Sequence, residues 1–200
     1  MMTCNVITYT GPMSRWAPDA SERLERAAID LFDERGFDAV TVPEIAARAG
    51  LTTRTFFRHF ADKREVLFGF EAGMTSTVSE MMSGLPATMD PLEVLERGFA
   101  RLAPVFVADL CQHLRRRQAI IDSHDGLRER ELRKFALLSE AIESEFLQRG
   151  LEPISARLVA ETATAVFKIS IERWIRADNA DLGALFRETL RSLSLLAPAR

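Results

Sequence analysis

The sequence predicts an all-α protein, and three observations predict it. Apolar residues recur every three or four positions through most of the 200-residue chain, the period of a helix with one buried face. Helix-start patterns recur at Thr41-Val42-Pro43-Glu44, at Asp90-Pro91-Leu92-Glu93 and at Asp181. Each opens with a side chain able to accept from the unpaired N–H groups of a first turn. No segment alternates apolar and polar residues as a strand does, and no internal repeat is present. At 47% hydrophobic content the chain can fill a complete core, in one domain or in two small ones sharing a helix.

Residues 1–18 have no sustained period and read as a flexible arm. A first helix is expected over about 21–35. Asp19 and Glu22 form a capping-box pattern before it, and Leu24, Ala27, Ala28, Leu31 and Phe32 give its apolar stripe. Gly36 stops it, and Phe37 and Val40 tuck back beneath. Thr41 caps a second helix, with Pro43 in its first turn, where a missing N–H costs nothing. Val42, Ile45, Ala46 and Ala49 follow at helical spacing, and Gly50 can take the positive φ that ends a helix sharply. Thr52 caps a third helix, in which Phe56 and Phe60 form an i, i+4 pair.

Asp62 opens a fourth helix expected to reach about residue 83, through Val66, Leu67, Phe70, Met74, Val78, Met81 and Met82. Roughly twenty residues at ~1.5 Å each make a rod of ~30 Å, broken at Gly84-Leu85-Pro86. A fifth helix starts at Asp90 and must end or kink at Pro104. A sixth covers about 105–123, with His124-Asp125-Gly126 as a turn. A seventh runs over 127–149 and closes at Gly150. An eighth opens at Pro153 and runs to about 177. The last is capped by Asp181 and carries Leu182, Leu185, Phe186, Leu190, Leu193 and Leu196.

Two short capped helices with a glycine between them, over 41–63, have the grammar of a helix-turn-helix: one helix braces, and the next enters a DNA major groove. Charge agrees. The chain carries −3 overall, yet residues 41–64 hold five basic residues (Arg48, Arg54, Arg58, Lys63, Arg64) against two acidic ones (Glu44, Asp62). A basic patch on an acidic body suits a DNA reader that does not bind every polyanion. In the arm, Arg15 and Trp16 fit a minor-groove contact or an uninvolved tail, and the tail is preferred. Two cysteines, Cys4 and Cys111, make no disulfide framework. No apolar run approaches the ~18 residues of a membrane helix, and no signal peptide opens the chain, so a cytoplasmic location without membrane contact is expected.

The run Glu44-Ile45-Ala46-Ala47-Arg48-Ala49-Gly50-Leu51, followed by Thr55-Phe56-Phe57-Arg58-His59-Phe60-Ala61-Asp62-Lys63, closely resembles the signature of the tetracycline-repressor (TetR) family of bacterial regulators. The likeness covers about residues 21–67, and the remainder is similar in plan. Arg115-Arg116-Arg117 and residues 127–146 also look somewhat like an actinobacterial subgroup that senses acyl-CoA. The resemblance implies a DNA-binding domain over 19–66 and a ligand-binding and dimerisation domain over 67–197. It implies a homodimer through the last two helices and a near-palindromic operator in double-stranded DNA. It also implies a small-molecule effector, lipid-like or acyl-CoA.

Residue by residue, the resemblance makes Thr41 and Lys63 phosphate contacts. Thr52, Thr53 and Arg54 reach base edges, and Arg54 can take guanine O6 and N7 together. Thr55 and His59 contact the DNA backbone, with Arg58 beside them. Phe56 and Phe60 are core. Phe57 stands where the family usually has tyrosine, so a phenolic bond to phosphate is missing. In the second domain Met74, Phe99, Phe106, Arg117 and Phe167 are candidate ligand contacts. The expected output is a repressor released when a ligand along the fourth helix tilts it.

Other readings stand beside these. The arginine triplet is an anion clamp or a solvated helix face; the face is preferred, because consecutive helix residues point in different directions. The methionines and phenylalanines are pocket or ordinary core. His113 and His124 lack the companions of a metal site, and no metal or cofactor is expected. Trp174 faces the pocket or a dimer partner. An architectural DNA binder without an effector is the alternative function. An enzyme is not expected, since no nucleophile–base–acid cluster and no cofactor loop is present.

Overall fold

The computed structural model describes residues 20–71, 74–177 and 180–193, and all regular structure among them is helical. The chain divides between Gly69 and Phe70 into two compact units.

The first unit holds α1 (Ala20–Arg35), α2 (Val42–Arg48) and α3 (Thr53–His59). Leu24, Ala28 and Ile29 of α1, Ile45 of α2 and Phe56 of α3 are all fully buried where the three helices pack together, because each helix places its apolar residues on one face. Gly36 and Gly50 take φ of +80° and +67° as the two helix stops. At Gly50 a side chain would also crowd Arg23, whose Nη2 lies 3.1 Å from where a Cβ would stand.

The expected 62–83 rod is replaced by two elements. Asp62 does cap, accepting from the Glu65 N–H at 2.9 Å. What it opens is a 3₁₀ helix, Glu65–Glu71, and α4 is confined to Met74–Met82; residues 72–73 lie outside the described residues. The reason is local. Val66, Leu67 and Phe68 are consecutive and all fully buried, a wider buried face than the single stripe of an amphipathic rod. Gly69, a poor helix former, sits where a Cβ would come within 2.9 Å of the Phe60 ring.

The second unit continues with α5 (Pro91–Leu102), a 3₁₀ turn (Ala103–Val105), α6 (Ala108–Asp122), α7 (Asp125–Gln148), α8 (Pro153–Arg176) and α9 (Leu182–Ser192). Asp90 accepts from the N–H groups of Leu92 and Glu93, and Asp181 from Gly183. Pro104 ends α5, as its missing N–H requires. Asp125 and Gly126, expected in a turn, form the first turn of α7. Residues 194–196 of the expected last helix lie outside the described residues, as does the 1–18 arm.

Aromatic rings fill the middle of this unit. Phe99 stacks on Phe186 at 4.4 Å, and Phe106 meets Trp174 edge-on at 5.7 Å. Trp174 is buried and donates its Nε1–H to the Ala180 carbonyl at 3.0 Å. It therefore belongs to the core of its own chain rather than to a face turned toward a dimer partner. The C-terminal end of α4 is held by two guanidinium groups: Arg101 donates to Met81 O at 2.7 Å, and Arg149 to the carbonyls of Met82, Leu85 and Pro86. Among the described residues no helix is long and apolar enough to cross a membrane.

Candidate functional site

The third helix is positioned by its own cap. Thr52 Oγ1 accepts from the Thr55 N–H at 3.1 Å and lies 2.9 Å from Thr55 Oγ1. Phe56 faces inward, fully buried, and fixes the rotation of the helix. Arg54, Phe57, Arg58 and His59 then face solvent, while Thr53 is half-buried. Phe57 is 56% exposed, an unusual place for a phenylalanine, with its ring edge-on to Phe56. Partial burial, and then the Arg58 cation, pull the His59 pKa below its ordinary value.

The other expected DNA contacts already have protein partners. Glu44 accepts from the Thr41 N–H at 2.8 Å and from the Thr41 hydroxyl at 2.6 Å, and pairs with Arg35 at 2.7 Å. This is the reciprocal capping box that the Thr-x-x-Glu spacing encodes. Lys63 donates to the carbonyls of Phe37 at 2.7 Å and Val40 at 2.8 Å and lies over the Phe37 ring. Burial lowers its pKa. Arg48 is held by both oxygens of Glu34, at 2.9 and 2.8 Å. The patch that counts as strongly basic in the sequence therefore presents chiefly Arg54, Arg58 and Arg64 to solvent.

The capping box has a pH consequence. Bonds from the Thr41 hydroxyl, from Arg35 and from the Thr41 N–H lower the Glu44 carboxyl from 4.5 to about 2. A depressed carboxylate contributes stability that is complete above the unfolded pKa and is lost as pH falls through the folded one. The start of α2 is therefore expected to loosen between pH 4.5 and about 2. Carboxyl NMR titration of Glu44, with amide exchange at Thr41 and Glu44, checks this. An ordinary Glu44 titration near 4.5 contradicts it.

The second unit contains an apolar cavity of about 80 Å³ walled by α4, α5, α7 and α8. Thr77, Val78, Met81 and Met82 come from α4, and Val94, Leu95, Gly98, Phe99 and Leu102 from α5. Leu138 and Ile142 come from α7, and Ala163 and Phe167 from α8. Thr77 is the single polar side chain in this wall.

Residues 25–69 match the family model described as bacterial regulatory proteins, tetR family. The chain is 28% identical over 195 residues to the transcriptional regulator TcmR of Streptomyces glaucescens, covering 86% of this chain and 81% of TcmR. The crystal structure of the TetR-family repressor FadR of Thermus thermophilus, in complex with lauroyl-CoA, is similar at 26% identity. Its TM-score is 0.57, over 90% of this chain and 96% of that one. Residues 25–69 carry the TetR-family segment.

That segment contains the helix-turn-helix of α2 and α3, and the chain is a DNA-binding transcriptional regulator. The fold is shared also with Bacillus subtilis FadR, in complex with stearoyl-CoA, at a TM-score of 0.52 and 22% identity over 86% of this chain and 96% of that one. The structure gathers Thr53, Arg54, Thr55, Phe57, Arg58 and His59 on α3 with Thr52 as its cap, while Thr41 and Lys63 serve the loop between α1 and α2. Among the candidate ligand contacts, Phe99 and Phe167 line the cavity. Phe106 does not; it packs on Trp174 and Phe167. Arg117 does not either. It is 5% exposed and its Nη1 lies 3.4 Å from Glu131 of α7, an internal ion pair rather than a clamp or a solvated face. The Met74 side chain lies outside the described residues. Sequence reasoning missed Thr77, Val78, Val94, Leu95, Gly98, Leu102, Leu138, Ile142 and Ala163 as cavity wall. Gly98 had a signal: it interrupts the apolar stripe Val94, Leu95, Phe99, Leu102 at a position on the same face.

Proposed function

We propose that this TetR-family regulator is a dimeric repressor that binds a near-palindromic operator and is released by a small lipid-like effector. The carrying observation is that α4, the first helix after the DNA-binding unit, forms one wall of the apolar cavity. A molecule filling that cavity bears directly on α4. It releases DNA only if it binds the DNA-incompetent geometry more tightly, since equal affinity for both states shifts nothing. Thermus FadR, in complex with lauroyl-CoA, supports an effector with a hydrocarbon chain. Arg54 is the residue for base readout, with Thr52, Thr53, Thr55, Phe57, Arg58 and His59 holding register around it. A two-fold dimer sets the two recognition helices one DNA turn apart, ~34–36 Å.

Dimerisation has its own support. Ile154, Leu158 and Ile169 are 69%, 62% and 47% exposed along one side of α8, an apolar stripe that water does not favour. A second copy, through α8 and α9, is the proposed cover. Ile169→Arg is expected to shift the protein from dimer to monomer in sedimentation equilibrium at micromolar concentration, without loss of helix content. An unchanged dimer argues against this face.

The whole proposal is tested by footprinting the regulator across its neighbouring promoters, then adding compounds extracted from the purified protein. A protected palindrome that is lost on adding the extract supports it. Protection that no compound relieves points to an architectural DNA binder. No protected palindrome defeats the repressor reading.

A further inference from the structure

Gly98 lies in the middle of α5, where glycine weakens a helix for want of a side chain. Its neighbours on the same face, Val94 and Leu102, stand one turn away on either side and both line the cavity. A Cβ built at Gly98 meets nothing within 4 Å. The position is thus an open notch in the cavity wall, kept open at the expense of helix propensity. The α7 and α8 part of the wall is Leu138, Ile142, Ala163 and Phe167, which offer no hydrogen bond and no charge. A polar group pushed into this space loses its water and finds little in return.

The geometry points to Gly98 as the residue that sets how much of a ligand the cavity admits, and to an uncharged hydrocarbon segment as what it admits. This rests on the effector reading above and names the chemistry of that same site. Any charged or hydroxylated head of such a ligand stays at the cavity mouth.

The test uses the full-length protein and a series of linear 1-alkanols from hexanol to dodecanol, with 1,8-octanediol as the polar counterpart. Binding is followed by calorimetry and stability by thermal melting. Wild type is expected to gain about three- to fourfold in affinity per methylene until the cavity is full. It should bind the diol at least tenfold more weakly than 1-octanol. Gly98→Ala is expected to raise the melting temperature of the free protein, because alanine is the better helix former. It should also lower alkanol affinity severalfold and shorten the longest chain bound. Gly98→Leu should abolish alkanol binding while circular dichroism stays unchanged. Greater stability together with weaker binding is a pair of changes that a merely structural glycine does not give.

Diol binding equal to octanol overturns the hydrocarbon assignment. Gly98→Ala and Gly98→Leu binding octanol as wild type does overturns the role of Gly98. Both results leave the effector reading standing, since the wild type still binds. Failure of the wild type to bind any alkanol overturns the inference. The effector reading then survives only if an extracted compound still releases DNA, and falls with it otherwise.

Discussion

Replacing Lys63 by methionine is expected to cost the N-terminal unit about 1.5–3 kcal/mol, the range for hydrogen bonds made by a charged group. The ammonium ties the carbonyls of Phe37 and Val40, at either end of the α1–α2 loop, and methionine keeps the stem while leaving both acceptors unmet. Urea denaturation, followed by a probe confined to residues 20–69, measures the loss. The same variant separates two ways of weakening DNA binding. A lost phosphate contact lowers the slope of log affinity against log salt by about one. A lost brace leaves the slope alone and lowers affinity through the unfolded fraction. The geometry favours the second result, and a stable variant with a reduced slope contradicts it.

Arg54→Ala is expected to relax specificity at one base pair of each half-site by about 1–3 kcal/mol, with the remaining positions read as before. The guanidinium is solvent-facing on α3 and has no recorded hydrogen bond or ion pair among the described residues, so no protein contact has to break before it reaches a base. Competition binding against operators substituted at every position measures the effect. A uniform loss across all sequences would instead make Arg54 a phosphate contact. Stability should hold, because an exposed arginine without partners supports no packing.

Much of the N-terminal unit was legible because its determinants are local. Thr41 to Glu44, Thr52 to Thr55 and Phe56 to Phe60 are separated by three or four residues, and the two stops are glycines that a positive φ requires. What the sequence concealed is non-local. Lys63 finds its carbonyls 23 and 26 residues upstream, and Arg48 finds Glu34 at a distance of 14. Net charge over a window cannot anticipate such pairs, so the basic patch looked stronger than it is. The rod over 62–83 failed for a different reason. Its apolar positions fit a helical stripe, but Val66, Leu67 and Phe68 are buried side by side, and three adjacent buried residues carry no helical period. Arg117 was misread likewise, since its partner Glu131 sits on another helix. In the cavity, aromatic residues drew attention while the notch at Gly98, defined by an absent side chain, did not.

The two arginines at the end of α4 carry a mechanical consequence. Arg101 and Arg149 bind four carbonyls around the C-terminus of α4, and moving that end breaks charge-assisted bonds. A helix restrained at one end swings about it, and its displacement grows along the axis. Met74 and Met82 are the two ends of α4, about 12 Å apart at ~1.5 Å per residue. A tilt of about 10° therefore carries the Met74 end roughly 2 Å while the Met82 end stays in place. Motion imposed at the cavity wall is amplified toward the end of α4 that leads, in sequence, back to the recognition helix.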